Sequence, residues 1–220
     1  MGGLVASQLA GFLLGILTSF LSWWLLSRYL VPRVRFSPCI SKIPSEHDKS
    51  GWRYRVKFEN SGRRTIIDVE CLATFRTKGR GPRHPRTWDE AMIPLGPGGV
   101  ESWRFPRLRP VRVSGMRQLL TLHTSHAPAF QELTYPEGIR KKAQDGTLLL
   151  EDVLALGTSA ELQVWVFGYD EVSGTRRLFT TVYHATDIVE GSFDTGSLNI
   201  EKSAAGDAEP AQASPRELPF

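Results

Sequence analysis

The sequence predicts a mainly β domain carried by one N-terminal transmembrane α-helix. Three features predict it: an uncharged apolar run at the start, strict strand alternation further on, and turn residues at short intervals between strands. They divide the 220 residues into a transmembrane helix over 1–30, a juxtamembrane linker over 31–50, a β-sandwich domain over 51–200 and a disordered tail over 201–220. The domain has enough chain to bury a core of its own.

From Met1 to Ser27 no side chain is charged, and Leu4 to Leu26 is almost continuously apolar. At 1.5 Å per residue that run makes a helix about 34 Å long, enough for a hydrocarbon layer roughly 30 Å thick. Within lipid a helix satisfies its own backbone, whereas an irregular chain does not. Trp23, Trp24 and Tyr29 gather at the C-terminal end, where aromatic rings favour the interface, and Arg28, Arg33 and Arg35 follow at once. A cleaved signal peptide wants a basic leading segment and a shorter apolar core, and this start has neither. The arginine bias therefore predicts a single-pass protein of the cell (plasma) membrane with its C-terminal domain in the cytoplasm. Gly3, Ser7, Gly11, Gly15 and Ser19 fall at four-residue spacing on one face, where a second helix backbone can approach closely. That face predicts a homo-oligomer through helix self-association, with a monomeric anchor as the alternative.

Pro32, Pro38 and Pro44 with polar residues between them suit an extended linker. Next, Trp52, Tyr54, Val56 and Phe58 alternate with Arg53, Arg55, Lys57 and Glu59, the pattern of a strand with one buried face. Asn60-Ser61-Gly62 supplies a turn. A second strand places Ile67, Val69, Cys71, Ala73 and Phe75 on one face. Further strand signals lie at 91–95, 100–105 and 118–124. Residues 129–147 read as a polar surface excursion and Leu148–Leu156 as one or two helical turns. Strands over Glu161–Tyr169 and Thr175–His184 close the domain. Trp52, Trp103 and Trp165 are expected in the core or on a sheet face. Many short strands with little helix indicate an antiparallel sandwich.

Residues 28–117 carry 20 Lys+Arg against 8 Asp+Glu, whereas 118–220 carry 7 against 15. A basic half next to a membrane span is drawn to anionic headgroups, at about 1 kcal/mol per cation near the surface. The candidate lipid- or partner-binding residues are Arg28, Arg33, Arg35 and Lys42, with Lys78, Arg80, Arg83 and Arg86 of a basic loop; solvated strand faces and a soluble loop are the alternative. Nucleic acid is not expected, because the tether holds the domain at a membrane and no nucleic-acid motif is present. Cys39 and Cys71 make neither a disulfide framework nor a metal spacing, and Cys71 reads as a buried thiol. His123 and His126 lack further ligands nearby in sequence. Asp170, Glu171, Asp187, Glu190 and Asp194 gather around the final hairpin and read as a solvated acidic edge. No catalytic, metal-binding or cofactor motif is found, and Gly96–Gly99 reads as a turn.

The segment LQVWVFGYDEVSGTRRLFTTVYHATDIVEGSF resembles the end of the cytoplasmic domain of inward-rectifier potassium channels, through Gly168, Asp170, Tyr183, Asp187, Ile188, Gly191 and Phe193. Asn60 and Arg63 in YRVKFENSGRRTIIDVECLATF, His123 and Pro128 in LLTLHTSHAP, and the acidic turn LLLEDVLAL resemble earlier parts of that domain. The similarity lies in order and spacing over roughly 52–195. It implies an immunoglobulin-like β-sandwich that sits in the cytoplasm and tends to oligomerise. The channels have two spans and a carbonyl-lined filter, which this chain lacks, so conduction by this chain alone is not expected.

The expected function is therefore that of a membrane-anchored, non-catalytic interaction module whose basic membrane-proximal half binds a protein partner or anionic lipid, an auxiliary subunit of a membrane complex being one form of this. The alternative is a membrane-anchored enzyme with a site assembled from scattered residues.

Overall fold

The structure is a computed structural model that describes residues 2–29, 31–78, 88–96, 99–132, 134–157 and 159–201. It opens with helix α1 (Gly2–Tyr29), whose side chains from Gln8 to Leu26 are all exposed. Two strands follow, β1 (Val34–Phe36) and β2 (Ile40–Pro44), then β3 (Trp52–Asn60) and the long β4 (Ile66–Lys78). Next come β5 (Trp88–Met92), β6 (Trp103–Leu108), a one-turn helix α2 (Val111–Ser114) and β7 (Gln118–Leu122). Helices α3 (Glu137–Asp145) and α4 (Leu150–Leu154) precede the hairpin of β8 (Ser159–Asp170) and β9 (Arg176–Tyr183). The short strands β10 (Ile188–Glu190), β11 (Ser192–Phe193) and β12 (Ile200–Glu201) end the described chain.

In one sheet β3 is flanked on one side by β1 and β2 end to end and on the other by β7, with β10 outside β2. In the second, β4 is flanked by β5 and β6 end to end on one side and by β8 and then β9 on the other. The fold is mainly β with one N-terminal apolar helix, and its two large sheets are open and curled. They share one hydrophobic core, in which Tyr54, Val56 and Phe58 of β3 meet Val69, Cys71, Ala73 and Phe75 of β4.

Four sequence expectations change. The linker over 31–50 contains β1 and β2, because its prolines fall where a strand tolerates a missing N–H: Pro32 before β1, Pro38 between the strands and Pro44 at the end of β2. Residues 129–147 are no surface excursion: Phe130, Tyr135, Ile139 and Ala143 are buried in the core, the last two one helical turn apart. In β4 a bulge between Ile67 and Glu70 shifts the alternation, so that Ile66 is fully buried and Ile67 is not. The bulge puts Asp68 at φ 49°. Finally, pairing is not wholly antiparallel: β10 runs parallel to β2, with Ile188 opposite Ile40.

Candidate functional site

The turn between β3 and β4 binds the chain where it leaves α1. Asn60 is fully buried, and each polar group of its side chain has a backbone partner. Its Nδ2 donates to the carbonyls of Arg64 (2.7 Å) and Leu108 (3.0 Å), and its Oδ1 accepts from the Gly62 N–H (2.9 Å). The Ser61 and Gly62 N–H groups both donate to the Arg33 carbonyl, at 2.8 and 3.2 Å. A Cβ at Gly62 would stand 2.6 Å from the Arg33 nitrogen, so the close approach requires glycine. Four peptide steps separate Arg33 from the end of α1, which keeps the two within about 15 Å whatever the helix direction. This end of the domain is helix-proximal by connectivity.

Two more loops meet there. Asn60 bridges to Pro110, just before α2. The β8–β9 turn is joined through Glu171, whose N–H donates to the Thr65 carbonyl at 3.2 Å, and through Asp170, which pairs with Arg64 at 3.0 Å. Burial disfavours the Asp170 carboxylate, but hydrogen bonds from the Val172 N–H, Ser173 and Arg64 outweigh it and hold its pKa below the ordinary value.

The surface these loops build is basic and tipped with apolar side chains. Arg33, Arg35, Arg63, Arg107, Arg109 and Arg112 are exposed on it, with Asp68 and Glu171 as the exposed acids nearby. Val113 is 80% exposed, Val172 70% and Met116 59%. Guanidinium forks donate to oxyanions, and the three apolar tips offer contact to a nonpolar phase.

The basic residues named from sequence separate in space. Arg33 and Arg35 belong to the helix-proximal surface. Arg28 lies in α1, but its side chain is outside the described residues, as are the side chains of Gly3 and Ser7 and the whole of Arg80, Arg83 and Arg86. Lys78 ends the 13-residue β4, roughly 40 Å along the strand from its helix-proximal start. Since Lys78 pairs with Trp88, the loop between them starts and ends at the distal end. Lys42 is taken into a polar cluster. Its Nζ lies 2.8 Å from Glu151 and 3.5 Å from Glu190, and 4.3 Å from the Trp52 ring centre. Burial would lower its pKa, but the Glu151 hydrogen bond and charge, then Glu190, raise it. Tyr54 donates its hydroxyl to Glu151 as well, and burial followed by that carboxylate pushes the phenol up.

On α1, a Cβ at Gly11 or Gly15 would meet nothing within 4 Å, and Ser19 is exposed. The acids around the final hairpin do not gather. Asp170 goes to Arg64, Glu190 to Lys42, Asp187 accepts from the His184 N–H, and the Asp194 carbonyl takes the Lys57 ammonium. Sequence reasoning missed Arg107, Arg109 and Arg112 and the apolar tips, and read Arg63 only as part of a turn. The available signal was the stretch WRFPRLRPVRVSGMRQ, where arginines alternate with Val, Leu and Met around two prolines.

No protein-family model matches the chain, and no curated protein matches it. Among solved structures it is similar to Spo0M, a sporulation control protein from Bacillus subtilis, at 12% identity and a TM-score of 0.31. The similarity covers 70% of this chain and 48% of that one, so the chain spans about half the length of that protein.

Proposed function

We propose that this chain is a single-pass, membrane-anchored, non-catalytic module whose cytoplasmic domain docks on an anionic bilayer through its helix-proximal surface. The observation that carries the reading is the meeting of exposed arginines and apolar tips at the one end that the covalent link holds near α1. α1 is long and apolar enough to cross a membrane, and none of its described span is buried against the domain. Arginines near such a surface gain about 1 kcal/mol each from anionic headgroups. Val113, Met116 and Val172 each gain more if they enter the interface, up to roughly 1.5–3 kcal/mol for full burial. Small residues at Gly11, Gly15 and Ser19 support pairing of α1 with a second copy in the same membrane. An immunoglobulin-like closure of the two sheets and kinship with the inward-rectifier cytoplasmic domain belong to the same reading, supported by the order of strands and turns.

The test uses the full chain in lipid nanodiscs with a fluorophore on Val113→Cys in a Cys39→Ser background. Brominated lipid is expected to quench the probe in anionic bilayers, less so at high salt, and not to quench a probe on Lys141→Cys of α3. Equal quenching at 113 and 141, or none at 113, overturns the docking orientation.

A further inference from the structure

A second basic feature lies on the outer face of β3, away from the helix-proximal surface. Arg53, Arg55 and Lys57 share that face at two-residue spacing, about 7 Å from one to the next. Most cations of this face are satisfied. Arg53 pairs with Asp48 at 3.3 Å, Arg117 just before β7 pairs with Glu59 at 2.9 Å, and Lys57 donates to the Asp194 and Thr195 carbonyls. Arg55 is the exception. Among the described residues no carboxylate pairs with it, whereas Arg53 and Arg117 each have one.

Beside Arg55 opens a cleft of about 660 Å³, within the size range of small-molecule sites. Ile43 and Pro44 give it an apolar wall, Arg53 and Arg55 give it charge, and the enclosed Ser45 hydroxyl in its lining also lacks a partner. Glu46 and His47, both exposed, complete the rim with Gly51. The two arginines are opposed there by Glu46 and by Asp48, which pairs with Arg53; burial first and the Arg53 charge second push the Arg55 pKa down. A guanidinium with no carboxylate partner, beside an apolar wall in a cleft of this size, suits an oxyanion that carries an apolar part.

We propose that this cleft binds a soluble anionic small molecule, with its phosphate or carboxylate group on Arg55 beside Arg53 and its apolar part against Ile43 and Pro44. Arg55 stands five residues along β3 from Asn60, roughly 17 Å from the helix-proximal end, and the loop carrying Ser45 and Gly51 lies farther still. The ligand therefore arrives from the aqueous side and not from the bilayer beneath the domain. This site is independent of the docking surface.

Titration calorimetry on the full chain in zwitterionic nanodiscs tests it, with phenyl phosphate, benzoate and inorganic phosphate as probes. Phenyl phosphate or benzoate is expected to bind at one site per chain, more tightly than inorganic phosphate, which lacks the apolar part. Their relative affinities tell which oxyanion the cleft prefers. Arg55→Gln is expected to weaken binding at least tenfold. Arg55→Lys, which keeps the charge and the fold but loses the fork, should fall between it and the parent. Arg112→Gln should leave binding unchanged. Absence of saturable binding for both organic probes overturns the proposal, as does equal binding by Arg55→Gln. A response of Arg55 variants to anionic vesicles alone overturns it too, because it moves the site to the lipid.

Discussion

Asn60 can donate two hydrogen bonds and accept one with the geometry it has, and it does all three inside the protein. Replacing it with Ala leaves the Arg64 and Leu108 carbonyls and the Gly62 N–H to find other partners where water is scarce. Each buried group left unsatisfied costs about 1–3 kcal/mol, so Asn60→Ala is expected to lower stability by about 3 kcal/mol in denaturant unfolding. A loss below about 0.5 kcal/mol would show that water replaces the side chain. The two thiols differ for reasons equally local. Burial, then Glu70, pushes the Cys71 thiol up to about 12, while Cys39 is half-buried and raised by burial and then Asp187. A maleimide at pH 7.5 is expected to modify Cys39 slowly and Cys71 only after unfolding. Equal rates would place Cys71 outside the core. At this scale, sequence showed what depends on near neighbours: Asn-Ser-Gly is turn chemistry wherever it occurs. It did not show that Asn60 reaches Leu108, 48 residues away, or that Gly62 has to make room for Arg33.

Strands with a buried face and an exposed face announce themselves, and β3, β8 and β9 were legible for that reason. β1 and β2 were not, because three prolines outweigh five or fewer strand residues in any local reading. The Asp68 bulge was hidden too, since alternation simply continues past it with the phase changed. Tyr183 shows why the last strand matters beyond its own sheet: its hydroxyl donates to the Ser37 carbonyl at 2.8 Å, tying the end of β9 to the break between β1 and β2. The β8–β9 turn is the element most open to a pH test. The Asp170 pKa is held below the ordinary aspartate value in the folded chain, so the folded state binds the proton less readily than the unfolded one. The stabilisation is complete above the unfolded value and is lost as pH falls through the lowered folded value. Asp170→Asn is therefore expected to destabilise at pH 7 and to flatten the loss of stability below about pH 4. A parent and variant that lose stability in parallel below pH 4 would assign the acid limb to other carboxylates.

The whole chain has a basic first half and an acidic second half, but charge along a sequence does not say where charge sits in space. β4 takes the two basic segments named from sequence to opposite ends, with Arg33 beside its start and Lys78 at its finish. It also brings Arg107, Arg109 and Arg112 back beside Arg33, across the Asn60 and Pro110 bridge. This non-local return is why the helix-proximal surface was only partly legible: of its exposed arginines, Arg33 and Arg35 were named as binding candidates, Arg63 was read only as part of a turn, and Arg107, Arg109 and Arg112 come from a segment far along the chain. The geometry makes two sets of equal charge unequal in effect. Neutralising Arg63, Arg109 and Arg112 together removes three cations from the end held near α1, a change of about 3 kcal/mol at about 1 kcal/mol each, or roughly 150-fold in the docked population. Neutralising Arg80, Arg83 and Arg86 removes the same charge from the segment between Lys78 and Trp88, two residues that lie some 40 Å away by the run of β4, well beyond a Debye length of about 8 Å at physiological salt. Hydrogen exchange over residues 107–117, compared between anionic and zwitterionic nanodiscs, separates the two. The parent and the distal triple variant are expected to show protection in anionic lipid, lost near 0.5 M salt where screening shortens to roughly 4 Å, and the proximal triple variant is expected to show none. If both variants lose protection equally, net charge and not placement draws the domain to the membrane, and the helix-proximal surface has no special part in it.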